Sequence, residues 1–183
     1  MGIRGKRVRS DIQNLYEEPD LITNVDEILE KAAEKGYFDK NGNIELDKVA
    51  SDNDIIVSYE EMEQAQSGYF RCVDGKCFIG INKLHNKKRQ RFTFAHELGH
   101  FFLHKGKNVA FADEVFFRID NSSSLEYAAN EFASRLLMPE TKVTQLLNSG
   151  VSDLSNLADI FNVSISAMRY RVVSLGYIVT QNG

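Results

Sequence analysis

Apolar residues recur at helical spacing through most of this chain, and at strand spacing in one block before its middle. In "TNVDEILEKAAEKG" (23–36), Val25, Ile28, Leu29 and Ala32 form a single stripe. Asn24 stands where it can cap the first turn, Glu27 can reach back to it, and Gly36 ends the helix. "IELDKVAS" (44–51) predicts a second, short helix. The period then changes. "DIIVSYE" (54–60) is β-branched, and "GYFRCV" and "KCFIGIN" flank Asp74-Gly75, a pair suited to a two-residue turn with positive φ at both centres. These segments predict a small antiparallel sheet.

Helical spacing returns in "RFTFAHELGHFFLH" (91–104), with Phe92, Ala95, Leu98 and Phe102 as its core-facing stripe. Residues 105–123 follow neither period, apart from a short strand expected over Val115–Arg118, and so long a connection is expected to act as a lid. "SSLEYAANEFASRLLMP" places Leu125, Ala128, Ala129, Phe132 and Leu136 on one face and stops before Pro139. A further helix starts with Pro139 at its first position and ends at Gly150, and residues 152–176 predict two helices joined near Asn162–Ser164. Helices, then a sheet, then helices again make the fold class α+β, with no internal repeat.

Composition narrows the class. The chain has 183 residues, is 43% apolar, contains two prolines and carries a formal charge of −4. Those values fit a globular domain and give no global reason to expect nucleic acid as a partner. No apolar run reaches the ~18 residues of a membrane span, and the basic start "MGIRGKRVRS" lacks the apolar stretch of a secretory leader. A soluble, cytoplasmic protein without membrane contact is therefore expected. There, Cys72 and Cys77, opposite each other across the Asp-Gly turn, are expected to be reduced. Residues 11–70 are acidic, whereas "NKLHNKKRQR" (82–91) holds five Lys/Arg and no acid. Such runs are mainly solvated faces, but the basic one precedes the histidine-rich segment and can rim a site that attracts acidic substrate segments.

The candidate chemistry lies in "HELGH". His96 and His100 are four residues apart, so on a helix their rings stand one turn apart on one face and can share a metal ion. Glu97 is rotated by about 100° from His96, beside the ion and not on it, which suits a group that takes a proton from an activated water. A catalytic zinc needs three protein ligands. His104 lies about 12 Å along the axis from His96, too far to share one ion, so a carboxylate is expected as the third. Glu126 is the best placed, with Asn130 four residues on to accept a hydrogen bond from a ligating histidine. Ser123-x-x-Glu126 is also a capping box, which explains the same glutamate without metal, and spacing alone does not separate the two. Glu131, Asp113 and Glu114 are weaker candidates.

"RFTFAHELGHFFLH", then "LEYAANEFASRLLMP", then "LADIFNVSISAMRYRVVSLG" together resemble the ImmA/IrrE family of metallo-endopeptidases, from about Leu46 to the end of the chain. The resemblance implies zincin-type active-site helices similar to those of thermolysin-type peptidases. It implies His96, His100 and Glu126 as ligands of one divalent ion, zinc with manganese as the alternative, and Glu97 as the catalytic carboxylate. Several members cut a helix-turn-helix repressor and so induce mobile-element or stress genes, which makes a protein substrate of that kind the expected partner. Many relatives carry a second acid two residues after the ligand, where this chain has Ala128. Asn130, His104 and Tyr127 are the candidates for supporting roles around the site.

The expected organisation is a basic, mobile segment over 1–22, a peptidase core over 23–150, and helix-turn-helix-like helices over 151–183 packed on that core. The rival reading is a DNA-binding or repressor-binding regulator that holds metal without proteolysis, as in a toxin–antitoxin component. Arg169 and Arg171 on the second of the C-terminal helices favour it, but residues 151–183 hold two Asp and two Arg, a net charge of zero where DNA binding calls for a basic face.

Overall fold

The computed structural model describes residues 1–6, 19–105 and 123–180. The lid and short strand expected within 105–123, with Asp113 and Glu114, therefore lie outside the described residues. The elements run β1 (Gly2–Lys6), α1 (Pro19–Glu34), α2 (Leu46–Ser51), β2 (Ile55–Glu60), β3 (Gly68–Val73), β4 (Lys76–Asn82), α3 (Lys87–Lys105), α4 (Ser123–Leu137), α5 (Glu140–Asn148), α6 (Leu154–Ile160), α7 (Ile165–Ser174) and β5 (Tyr177–Thr180). Helices around small sheets make this an α+β fold, as the sequence predicts.

Local signals explain some element ends and miss others. Gly36 adopts a φ of 68°. There its N–H donates to the Ala33 carbonyl and the next N–H, of Tyr37, to Ala32, the paired bonds that close a helix through a left-handed residue. At its other end α1 begins at Pro19, ahead of the expected cap Asn24. Pro139 caps α5 from just outside it and is not its first residue.

Strands β3 and β4 form the expected hairpin, with Asp74 and Gly75 at φ of 50° and 74° and Cys72 directly opposite Cys77. The two cysteines are joined in a disulfide, which corrects the expectation of reduced thiols. Direct register holds their Cα atoms 4.1 Å apart, so the two sulfur atoms face each other in a buried pair.

Strand β2 adds to the other side of β4, and in parallel, giving the order β2-β4-β3. Residues 61–67 therefore carry the chain across the end of β4 to the far edge. Asn82, at the end of β4, is buried and donates its amide to the carbonyls of Met62, Glu63 and Gln66, which fixes that crossing. Central β4 contributes the fully buried Ile79 and Ile81.

Helix α3 packs against β3 and β4 on one side and α4 on another. Phe94, Ala95, Leu98 and Phe101 are buried, while Phe92 and Phe102 only flank the core. The single stripe expected from spacing is thus too narrow: a helix covered on two sides needs apolar residues on both.

A second sheet pairs β1 with β5, with Ile3 opposite Val179. The N–H of Ile3 donates to the Ser152 carbonyl and that of Leu154 to Met1, so the start of the chain is tied to α6. Of the segment expected over 1–22, Gly2–Lys6 forms β1, 19–22 open α1, and 7–18 lie outside the described residues. Among the described residues no helix is long and apolar enough to cross a membrane.

Candidate metal centre

A glycine sets the distance between the two helices of the site. A Cβ at Gly99 would lie 3.2 Å from both the Cα and the carbonyl oxygen of Ala129 and 3.1 Å from the Phe132 ring. Having none, α3 lets α4 approach backbone to backbone over the buried Ala129 and Ala133. Phe102 and Phe132 stack beside the crossing with ring centroids 5.6 Å apart. Glu126 and Asn130, on the same face of α4, are thereby brought over the histidine face of α3.

There three donors converge. The Nε2 atoms of His96 and His100 are 3.1 Å apart. Glu126 places Oε2 3.4 Å from the His96 Nε2 and Oε1 3.3 Å from the His100 Nε2. Donors held at about 2.0–2.1 Å around a tetrahedral ion are about 3.3 Å from one another, so the spacing fits one divalent ion of zinc's size. Asn130 Oδ1 lies 3.1 Å from His96 Nδ1. With Nδ1–H donating there, Nε2 keeps its lone pair for the centre of the group. Burial lowers the pKa of His96, with Glu126 and Asn130 pulling the other way, and a neutral imidazole is the form that ligates.

Glu97 lies behind this group, only 7% exposed. Burial first, and then the charge of Glu126, pushes its carboxyl up to about 8. A cation held by the three donors would draw that proton affinity down again, so the carboxyl is set to exchange protons near neutral pH. Strand β3 starts beside it: a Cβ on Gly68 would meet Thr93 at 2.6 Å and come 3.4 Å from Glu97 Oε1. The start of β3, an outer strand of its sheet, thus packs directly on the carboxylate.

Other expected residues take different places. Glu131 and Tyr127 share the face of α4 that looks toward α7, where Tyr127 hydrogen-bonds Tyr170 and Glu131 acts on the charge of Arg171. Neither belongs to the ligand group. His104 is in α3, and its side chain lies outside the described residues. In the basic run, Lys83 pairs with Glu61, Lys88 with Asp159, and Arg91 donates to the Ile44 carbonyl. Spacing along the chain does not assign Gly99 or Gly68 these contacts. A glycine inside a helical pattern, opposite small residues on another predicted helix, was the available signal for Gly99.

Residues 50–173 match the model of the peptidase family M78, described as the IrrE N-terminal-like domain. The chain belongs to this family. Among curated relatives, Metallopeptidase ImmA of Bacillus subtilis (strain 168) is 34% identical over 105 residues, covering 54% of this chain and 56% of that protein. The Uncharacterized immunity region protein 2 of Bacillus phage phi105 is 35% identical over 83 residues, 45% of this chain and 51% of that protein. The chain spans about half the length of the curated relatives it matches. Among solved structures, a Mycobacterium tuberculosis transcriptional regulator superimposes with a TM-score of 0.61 at 17% identity, over 86% of this chain and 48% of that one, a likeness of fold alone. The M78 family is the one that the three sequence motifs resemble.

Proposed function

We propose that this protein is a zinc-dependent endopeptidase that cuts a specific protein, a helix-turn-helix repressor, and so induces mobile-element or stress genes. The observation that carries the reading is the convergence of His96, His100 and Glu126 beside the buried Glu97. Membership of the M78 family and the likeness to ImmA and a phage immunity-region protein support it. The two imidazoles and the Glu126 carboxylate would hold the ion, with Asn130 orienting His96. When bound, a divalent ion there supplies Lewis acidity toward the scissile carbonyl and toward a water. Glu97 accepts that water's proton and hands it to the leaving amine, a transfer suited to a carboxyl whose proton affinity lies near neutrality. The β3 edge next to Glu97 would take the substrate backbone as an added strand. The expected division into a peptidase core over 23–150 and a packing unit over 151–183 belongs to this reading.

The DNA-binding alternative loses one of its two arginines in α7. Arg171 is 5% exposed and donates Nε to the Met138 carbonyl at 2.9 Å, so it anchors α7 to the end of α4 and does not face solvent. The test is intact-mass analysis of a co-incubated helix-turn-helix repressor. Zinc-loaded protein is expected to give two fragments summing to the repressor plus one water. Glu97→Gln and chelated protein should give none, and cleavage retained in Glu97→Gln would remove the mechanism.

A further inference from the structure

The stripe of α3 that carries the ligands does not end at His96. Arg89, Thr93, His96 and His100 follow one another at intervals of four, three and four residues, so all four lie on one face of α3. Arg89 is exposed, and its Nη2 donates to the Ser67 hydroxyl at 2.9 Å, immediately before β3. Among the described residues it has no carboxylate partner, whereas its basic neighbours Lys83 and Lys88 are paired with acids. A guanidinium has five N–H donors, so the single bond to Ser67 holds the group at the rim and leaves donors for a further acceptor. The next stripe residue, Thr93, lies against Gly68, and Gly68 borders Glu97. One continuous path thus runs from Arg89 along the start of β3 to the candidate centre.

Resting on the peptidase reading above, we propose that Arg89 is a specificity-determining residue that selects an acidic side chain in the peptide lying along β3. Arg89 is seven residues before His96, about 10 Å along the helix, which an extended peptide covers in about three residues. Antiparallel addition to β3, the better-paired arrangement, runs the peptide from the hairpin end toward Ser67. The acid is then the third residue on the C-terminal side of the scissile bond. Bidentate pairing of guanidinium and carboxylate distinguishes Asp or Glu from the corresponding amide by about tenfold in affinity.

The test uses the full chain, zinc-loaded and carrying Glu97→Gln, to select binders from a displayed library of random dodecapeptides. A parallel selection uses Glu97→Gln with Arg89→Glu, its folding checked by thermal melt and zinc content. The first should recover peptides with an acid at one fixed position, and the second should replace it with Lys or Arg. An acidic position that survives Arg89→Glu, or no charge preference in either selection, an empty one included, overturns the proposal. Peptides recovered in the first selection are then given to zinc-loaded wild type. Cleavage three residues before the acid supports the geometry, and cleavage at another spacing overturns it. Binding that depends on Arg89 without any cleavage removes the peptidase reading and leaves acidic recognition standing.

Discussion

Two helix pairs in this molecule carry the residues that sequence alone would flag: α3 with α4, and α6 with α7. Both place polar side chains on an otherwise apolar scaffold. In the first pair, a glycine crossing lets His96, His100 and Glu126 meet with donor spacings of 3.1 to 3.4 Å, and the Glu126 side chain is 55% exposed. In the second, Arg171 turns inward to a backbone carbonyl of the chain itself. What separates the two is where the polar atoms point. The first cluster turns three potential ligand atoms to one place, while in the second Arg171 is bonded to the backbone of the chain itself.

That contrast can be broken in several ways. The largest effect is expected from Glu97 in metal-free protein. Its folded pKa is raised, so the stability it allows below pH ~4.5 is lost as pH rises through about 8. Between pH 5 and 8.5 the metal-free wild type should lose on the order of 3 kcal/mol relative to Glu97→Gln, read from urea unfolding at each pH. Equal slopes would show that Glu97 is not held in a low-dielectric site. Next, Gly99→Leu forces a side chain into the Ala129 backbone and should cost about 3 kcal/mol and weaken zinc binding together. If stability falls while zinc affinity holds, the crossing does not position Glu126.

On the other side of the comparison, Arg171→Leu should cost about 2 kcal/mol, whereas Arg169→Leu, two residues earlier and only partly buried, should stay within about 0.5 kcal/mol. Equal costs in thermal melts would remove the anchoring role of Arg171. A change in binding and not in the fold is expected from Asn130→Ala, which should reduce zinc affinity by roughly 10- to 100-fold with little change in fold stability. Calorimetric titration separates the two effects.

The parts legible in the sequence were the local ones. The Asp74-Gly75 hairpin, the stop at Gly36 and the His-Glu-x-x-His face depend on residues within a few positions of each other. Parallel pairing of β2 with β4 was not legible, because nothing in "IIVSYE" says which side of the hairpin it joins. The β1–β5 pair joins the two ends of the chain through five and four residues, too short to leave a pattern. The same limit applied to the site: spacing gave His96 and His100 a shared face but left Glu126 between a ligand and a helix cap. The close helix crossing at Gly99 turns its carboxylate to the imidazoles. The Asp-Gly turn puts Cys72 opposite Cys77 as the sequence predicts, but the reduced state expected of a cytoplasmic protein leaves out the direct register that lets the two sulfur atoms bond.

The most direct measurement of the central claim is metal content after zinc loading and gel filtration, by elemental analysis of wild type and three variants. One zinc per chain is expected in wild type and in Glu97→Gln, and essentially none in His100→Ala or Glu126→Ala. A full equivalent of zinc retained by folded Glu126→Ala would contradict the account.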